Sequence, residues 1–437
     1  MLDTVPEALP TCLENYCSKF DDIFQNAAQR KHFRAYFAGL LSETQRKNIQ
    51  AIAESTVGCE YVNLHHFLHN APWDADALND RRLDVVWQHR NTRPQVGFGL
   101  ILDDSGHRKS GSETDGVSYQ YIGQLGKVDN GIVTVTSHAS DGKRCVPLDL
   151  AQYFPASCFP KGKEDERFKT KPELAIELID KCLKRDLKPG RVTADSFYGN
   201  NVKFLQALEE RKLEYVVALK GCRNVYVELP GDHRREKRRL DEVAKTITAE
   251  QLTKIVLPLD EPREVWVATF SVHFPKLTGS RIVAIQMDAP SFAEAKEVDY
   301  LLTNVPKETA TVPLIALEYS NRNWIEVFYR ETKGWLGLTE YQVRSKGTIY
   351  RHWMIVFLAF SFIARERLTG GLRARWSSRP LQTFGETWRV FRHAVEFHLL
   401  NWLKDNIYVF VEHRLKHGFK CEPQSKAYPE RIQLRSA

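Results

Sequence analysis

The chain has 437 residues, of which 43% are hydrophobic and 27% are charged, with a net charge of +7. That length predicts two or three domains rather than one core, and the composition is ordinary for a soluble globular protein. The small basic excess by itself does not indicate nucleic-acid binding, because the field depends on where the cations lie.

Cysteine usage and hydropathy exclude several classes of protein. The eight cysteines are scattered without a C-x-x-C pair, which argues against a zinc ribbon or a disulfide framework and fits a reducing cytosol. The first residues lack the basic-then-apolar pattern of a signal peptide. The longest apolar run, Trp353 to Ala364, is well short of the roughly 20 residues of a membrane span. We therefore expect a soluble cytoplasmic protein without membrane contact, in which this run is a buried helix.

The N-terminal region, residues 1–92, is predicted to be helical. In AQRKHFRAYFAGLLSETQRKNIQAIAE, the apolar residues Phe33, Tyr36 and Leu40 recur at helical spacing, with lysines and arginines between them. A small DNA-binding module has this pattern, and so does an ordinary amphipathic surface helix. The pattern alone leaves both readings open.

An α/β pattern begins after this region. The run VGFGLILDD predicts a strand ending at two acidic residues, and SYQYIGQLGKVDNGIVTVTSHAS predicts two strands joined by a turn at Asp129-Asn130-Gly131. The helix PELAIELIDKCLKRDL, the strand RVTADSFYG, the helix NNVKFLQALEERK and the strand LEYVVALKG follow. This β-β-β-α-β-α-β order predicts a mixed sheet.

The hydrophobic pattern changes twice in the rest of the chain. Short period-two runs such as EVWVATFSV predict a β-rich insertion, and the basic run His233 to Arg239 is interpreted as a solvated loop within it. Helical patterns then return from PLIALEYSNRNWIEVFYRETKGWLGL to the C-terminus. We expect five segments: N-terminal helices at 1–92, the first part of the core at 93–221, the insertion at 222–310, the second part of the core at 311–370 and C-terminal helices at 371–437.

Two aspartates lie where chemistry is common in α/β sheets. Asp103 follows the strand GLIL, and Asp195 follows the strand VTA. Open α/β sheets place ligands beyond the carboxyl ends of their strands. Aspartate also begins turns and caps helices, so each position taken alone is equally consistent with a structural role.

A third carboxylate, Glu326, is singled out by helical phase. At ~100° per residue, Tyr319, Arg322, Glu326, Arg330 and Lys333 fall on one stripe of a helix whose other side is apolar. Glu331 lies off that stripe. The flanking arginines, four residues away on either side, would make ordinary surface ion pairs, or they would hold phosphates beside a metal-binding glutamate.

The run from Tyr319 to Lys333 fits the pattern Y-x2-R-x3-E-x6-K. It resembles the signature of bacterial insertion-sequence transposases of the DDE type, which have an RNase H-like core and a β-strand insertion before the final glutamate. The stretches DDSGHRKSG, YIGQLGKVDNG, TADSFYG and LTEYQVRS are similar to the branch named for insertion sequence seven hundred and one. The resemblance runs from about residue 30 to about residue 365.

This resemblance implies that Asp103, Asp195 and Glu326 hold the catalytic metals. Asp104 is the alternative for the first position, and we favour Asp103 because it directly follows the strand. Carboxylate oxygens suit Mg²⁺, for which Mn²⁺ is expected to substitute. Two ions about 3.5–4 Å apart would activate the attacking water and stabilise the leaving oxygen.

The resemblance also implies the DNA contacts and the partners. Tyr319, Arg322 and Lys333 match positions that contact transposon-end DNA near the cleavage site. The expected partners are double-stranded terminal repeats, target DNA and a second copy of the chain, in a bacterial, nucleoid-associated protein. Two other functions stay open, namely a transposase-derived DNA-binding protein without catalysis and an RNase H-like nuclease that only hydrolyses.

Overall fold

The computed structural model describes residues 5–229, 232–259, 261–274 and 276–418. It contains two compact units. The helical unit comprises Met1–Thr92 and Arg330–Ala437, and the sheet unit comprises Arg93–Tyr329. Within the predicted terminal regions, residues 1–4 and 419–437 lie outside the described residues.

The N-terminal part of the helical unit is helical, as predicted. Its helices are α1 Thr11–Cys17, α2 Ala27–Leu40, α3 Ile49–Glu54, α4 Tyr61–His69 and α5 Ala75–Trp87. Phe33, Tyr36 and Leu40 are buried, as their spacing indicated. Two of the interleaved cations have structural partners in the same unit: Arg34 bridges Glu14 and Asp21 at 2.6 Å each, while Lys47 is buried.

The sheet unit holds one sheet, with twelve strands in the described part of the chain. The strands are β1 Gly99–Arg108, β2 Ser118–Ile122, β3 Lys127–Ser140, β4 Cys145–Tyr153, β5 Arg191–Ala194, β6 Glu214–Leu219, β7 Asn224–Leu229, β8 Asp232–Arg239, β9 Thr253–Leu257, β10 Arg263–His273, β11 Ser280–Met287 and β12 Val298–Thr303. The helices between these strands are α6 Lys171–Lys184, α7 Ser196–Gly199, α8 Val202–Glu210 and α9 Leu240–Ala244. After β12 come α10 Val312–Ser320 and α11 Asn323–Trp335, of which the residues from Arg330 onward belong to the helical unit.

The strand order confirms the mixed α/β class. It runs β2-β3-β1-β5-β6-β12-β11-β10-β7-β8, with β4 beside β3 and β9 beside β10. Only the central pairs β1–β5 and β5–β6 are parallel among the described strands. Crossover helices α6 and α8 permit these parallel pairs, because a parallel connection needs a crossover of a dozen or more residues. The β-rich insertion joins the same sheet through β12, which pairs with β6.

Two predictions in the first strands were wrong. Strand β1 does not end before Asp103 but continues to Arg108, because β3 pairs antiparallel along its whole length. The Asp129-Asn130-Gly131 turn does not form either. These residues lie inside β3, and the chain reverses earlier at Gly126, which has a φ of 63°. Pairing with both β1 and β2 stabilises an extended backbone there despite the local turn signal.

Two further strands were not predicted. Strand β4 adds a fourth strand before the first crossover helix, so the order is β-β-β-β-α-β-α-β. The basic run His233 to Arg239, predicted to be a loop, lies in β8, at the end of the strand order. Edge strands often carry charged side chains that oppose pairing with other chains. A strand of this composition therefore resembles a loop in sequence.

The predicted continuous helix around Glu326 is broken. Helix α10 ends at Ser320, and α11 begins at Asn323. The junction, residues 320–323, contains a serine and two asparagines, whose short polar side chains compete for backbone hydrogen bonds and lower the helix propensity. Tyr319 therefore lies on α10, and Arg322 lies at the junction rather than on one stripe with Glu326.

The C-terminal part of the helical unit contains α12 Lys346–Thr369, α13 Arg373–Trp376 and α14 Phe384–Lys416. Gly370, with a φ of 70°, caps α12 in the left-handed conformation that glycine adopts easily. Helix α12 is long and apolar enough to cross a membrane by length and composition alone, but 78% of its apolar window is buried in this unit. The prediction of a buried helix is confirmed. Its Phe362 packs against Tyr16, with ring centroids 5.2 Å apart.

Candidate active site

Asp103 and Asp195 follow equivalent positions on neighbouring parallel strands. The last paired residues of β1 and β5 are Leu102 and Ala194, which are directly opposite each other. Adjacent strands lie about 4.8 Å apart, so the backbones of the next two residues are neighbours at the carboxyl edge of the parallel pair. The sheet register therefore brings together the two predicted aspartates.

Asp103 and Asp104 face opposite sides of β1, because successive side chains of a strand alternate. Arg322 Nη2 donates to Asp103 Oδ2 over 3.0 Å. On the other side, Lys171 Nζ donates to Asp104 Oδ2 over 2.8 Å and Tyr198 Oη donates to Asp104 Oδ1 over 3.3 Å. Of the two aspartates, Asp103 is the one that lies on the side of the Glu326 helix.

Asp195 also caps a helix. Its Oδ1 accepts the backbone N–H groups of Phe197 at 2.9 Å and Tyr198 at 3.4 Å, at the start of α7. Helix α7 packs closely on β6, since a Cβ added to Gly199 would lie 2.0 Å from the carbonyl oxygen of Ala218. The absence of a Cβ at Gly199 allows this close approach, which fixes the Asp195 carboxylate.

Glu326 lies in the first turn of α11, with 57% of its side chain exposed. Arg322 Nη1 donates to Glu326 Oε1 over 2.5 Å, while its Nη2 binds Asp103. The Arg322 side chain is 17% exposed. One largely buried cation therefore connects the first and third predicted catalytic carboxylates.

A second contact that sequence reasoning missed anchors α11. The Tyr329 hydroxyl lies 2.5 Å from Thr136 Oγ1, and Thr136 is the residue of β3 directly opposite Asp103. Tyr329 is buried. The helical stripe did not include it, and the strand residue that it contacts is remote in sequence. Tyr329 positions the helix that carries Glu326 over the strand that carries Asp103.

Burial determines the electrostatics of the cluster. It raises the pKa of Asp103 to about 7; the Asp195 and Asp104 carboxylates act in the same direction, and Arg322 opposes them. Burial also raises the pKa of Asp195. Burial lowers the pKa of Arg322, but Asp103 and the other neighbours of Arg322 raise it by more. The pKa of Arg322 is therefore above its ordinary value. Asp103 and Asp195 thus repel each other in a partly buried site beside a permanent cation, Arg322.

The donor atoms of this cluster are of the kind that binds a divalent cation. Carboxylate oxygens are the hard ligands that Mg²⁺ prefers, and their mutual repulsion favours a bound positive charge. No group of three His, Cys, Asp or Glu side chains in the described ranges is arranged to hold a metal ion. In this structure Arg322 donates instead to oxygens of both Asp103 and Glu326.

The other two predicted DNA contacts, Tyr319 and Lys333, lie on α10 and α11. Tyr319 is half-buried and packs against the apolar cluster that includes Ile315 and Val216. Burial raises the pKa of its hydroxyl, so this group is a neutral donor. Lys333 is half-buried further along α11, in the part of that helix that belongs to the helical unit.

Two family models match the chain. A DDE superfamily endonuclease model matches residues 19–264, more than half of the chain, in a range that includes Asp103 and Asp195. A transposase DDE domain model matches residues 169–362, which include Asp195 and Glu326. The two ranges overlap around Asp195.

The comparisons also include a curated relative and a solved structure. The curated relative is a probable transposase for insertion sequence element IS701 from Microchaete diplosiphon, 37% identical over 230 residues. That match spans 52% of this chain and 58% of the relative. A cryo-EM structure of a piggyBac transposase synaptic complex with hairpin DNA is 9% identical, with a TM-score of 0.43, covering 97% of this chain and 84% of that one. From the family models, this chain belongs to the DDE superfamily of endonucleases.

Proposed function

We propose that the protein is a DNA transposase that cleaves phosphodiester bonds at transposon ends and joins the resulting 3′-OH to target DNA. The observation that carries this proposal is the convergence of Asp103, Asp195 and the Arg322-linked Glu326 at one sheet edge. A chain of the DDE endonuclease family with three carboxylates so placed has the groups for metal-assisted phosphoryl transfer.

The proposed metal ligands are Asp103, Asp195 and Glu326, and the proposed cofactor is a pair of Mg²⁺ ions, with Mn²⁺ able to replace them. When bound, two such ions lower the pKa of an attacking water or hydroxyl and stabilise the leaving oxygen. The exclusively oxygen donor set favours these metals over zinc. Asp104 has a structural role in this account, because Lys171 and Tyr198 occupy its carboxylate on the other face of β1.

Arg322 has two successive roles in this proposal. Without metal it pairs with Asp103 and Glu326. If those carboxylates held metal, the guanidinium would be free to bind a DNA phosphate, which its planar donors suit. Tyr319 supplies a hydroxyl donor and Lys333 a positive charge for DNA near the cleavage site.

The remaining assignments concern partners and segments. The partners are double-stranded terminal inverted repeats and target DNA, bound by a homodimer, because two ends must be brought together before joining. We assign DNA binding to residues 1–92, catalysis to 93–221 and 311–370, and packing or dimerisation to 371–437, with 222–310 as the β-rich insertion. The protein acts in the bacterial cytoplasm, associated with the nucleoid.

A cleavage assay with a matched pair of glutamate variants tests the proposal. A labelled duplex with the ends of the encoding element is incubated with wild type, Glu326→Gln or Glu331→Gln in Mg²⁺ or Mn²⁺. Glu326→Gln should lower cleavage by more than the ~10–100-fold typical of losing an outer-shell partner. Glu331, paired with Arg330 at 3.4 Å, should be replaceable with little loss. Equal cleavage by both variants at unchanged DNA affinity would remove Glu326 from the site.

A further inference from the structure

A second concave site lies on the same edge of the sheet as Asp195. Strand β6 is parallel to β5, and its last residue, Leu219, is followed by Lys220. Because Asp195 directly follows β5, both residues emerge at the carboxyl edge of the parallel strands. Lys220 begins the short connection to β7, which brings Cys222 and Arg223 to that edge.

This connection and the neighbouring strands enclose a pocket of about 510 Å³. Its lining includes three cationic side chains, Lys220, Arg223 and Lys237, together with Cys222, Tyr226 and Asn200. Asn200 caps the C-terminus of α7, the helix whose N-terminus Asp195 caps. The pocket therefore adjoins the segment that positions a proposed metal ligand.

None of the described residues that line the pocket is acidic, so its positive charge is not neutralised from within the lining. Asp241 is nearby, since its N–H donates to the Gly221 carbonyl over 2.9 Å, but it is paired with Arg239 at 2.5 Å. Lys220 and Lys237 are exposed. Two lysines and one arginine around one concavity attract an anion, and the pocket volume is in the range of small-ligand sites.

Arg223 adds a specific donor to this charge. Its guanidinium carbon lies 5.0 Å from the Phe274 ring centroid, so an aromatic face orients the side chain. Its Nε is buried without a hydrogen-bond partner among the described residues. A buried unpaired donor is costly, and a phosphate oxygen would satisfy it.

We propose that this pocket binds a backbone phosphate of the DNA substrate, flanking the phosphate at the Asp103–Asp195–Glu326 site. This inference rests on the proposed function and adds a second anchor for the same DNA. The two sites share one sheet edge, so a strand that passes Asp195 continues towards Lys220. The contacts are to phosphate alone, and they position the DNA without reading its sequence.

The salt dependence of DNA binding tests the proposal, with Ca²⁺ in place of Mg²⁺ so that the DNA stays uncut. Lys220→Gln and Lys237→Gln should each lower the slope of log affinity against log salt by about 1. Lys184→Gln is the matched control, since Lys184 ends α6 at the opposite edge of the sheet and is exposed. Unchanged slopes for both pocket variants, in protein that still binds and cleaves DNA, would overturn the proposal.

The exposed thiol of Cys222 gives an independent readout. Its alkylation rate, followed by peptide mass spectrometry, should fall severalfold when end DNA is added and recover when salt releases the DNA. Protection by inorganic phosphate or ATP but not by DNA would make the pocket a small-anion site and overturn the proposal. Failure of the wild-type protein to bind DNA at all would instead overturn the proposed function, and the two failures are therefore distinguishable.

Discussion

At the scale of single residues, the site depends on Arg322. Its guanidinium donates to Asp103 at 3.0 Å and to Glu326 at 2.5 Å, so the two carboxylates are held together by a cation of the chain itself. A divalent ion would need the same oxygens. A metal at the proposed site would therefore compete with Arg322, both for the oxygen atoms and through repulsion between like charges.

Removing this arginine should strengthen metal binding. We expect Arg322→Gln to bind Mn²⁺ at least about fivefold more tightly than wild type in isothermal titration without DNA, because one nearby positive charge is worth at least ~1 kcal/mol at such distances. Arg330→Gln is the control, since Arg330 is exposed and pairs with Glu331 at 3.4 Å. Weaker binding by Arg322→Gln than by wild type would contradict a competing role.

The raised pKa of Asp103 predicts how the stability of the metal-free protein depends on pH. Its ordinary value is 3.8, and burial raises it to about 7 in the folded protein. The folded state thus binds the proton more tightly than the unfolded state. The resulting stabilisation is fully present below the unfolded pKa and is lost as pH rises through about 7.

Urea denaturation in EDTA between pH 4 and pH 8 measures this effect. The unfolding free energy of wild type should fall across that range by up to a few kcal/mol relative to Asp103→Asn, which cannot lose a proton. The comparison cancels other titrating groups. Parallel curves for the two proteins would mean that Asp103 is already ionised at low pH.

At the scale of elements, the parallel pairing of β1, β5 and β6 places the site. The register aligns the residues that precede Asp103 and Asp195, and the short helix α7 holds the second carboxylate by its N-terminal N–H groups. Helix α7 can lie this close to β6 because Gly199 has no Cβ. Backbone packing thus contributes directly to the position of a proposed catalytic carboxylate.

Gly199→Ala tests that contribution. The added Cβ would lie 2.0 Å from the Ala218 carbonyl oxygen, so α7 must shift. We expect a loss of about 1–3 kcal/mol in unfolding free energy, as for overpacked cores, together with reduced metal-dependent cleavage. Gly347→Ala in α12, with open space around its Cβ, should be neutral or stabilising by up to ~1 kcal/mol. Equal thermal stability of the two variants would contradict the packing argument.

The errors of sequence-based prediction at this scale have identifiable physical causes. The Asp129-Asn130-Gly131 turn signal is outweighed by strand partners on both sides, which lie far away in the chain. The helical stripe through Tyr319 and Arg322 assumed one continuous helix, although the polar run Ser-Asn-Arg-Asn carried a signal for the break. The stripe nevertheless pointed to Glu326 as the third carboxylate. In the structure, Arg322 at the junction does contact the Glu326 carboxylate, one turn later in the chain.

At the scale of the whole molecule, composition and periodicity were enough to predict the class of fold. Helices at both ends, a mixed sheet and a β-rich insertion each have a periodic pattern that is local in sequence. The division into a helical and a sheet unit, with α11 crossing the boundary, was not predictable. It depends on contacts between residues 1–92 and the last third of the chain. The structural roles of cations, such as that of Arg34 between Glu14 and Asp21, could not be predicted from the sequence either.

Strand transfer is the most direct test of the central claim that Asp103, Asp195 and Glu326 form the active site of a transposase. A short duplex that carries a transposon end with a free 3′-OH is incubated with a supercoiled target plasmid and Mg²⁺, and covalent end–plasmid joints are counted by sequencing. Wild type and Glu331→Gln should form joints, whereas Asp195→Asn and Glu326→Gln should form none. Joints made by Glu326→Gln, or wild-type cleavage that never produces joints, would contradict the account.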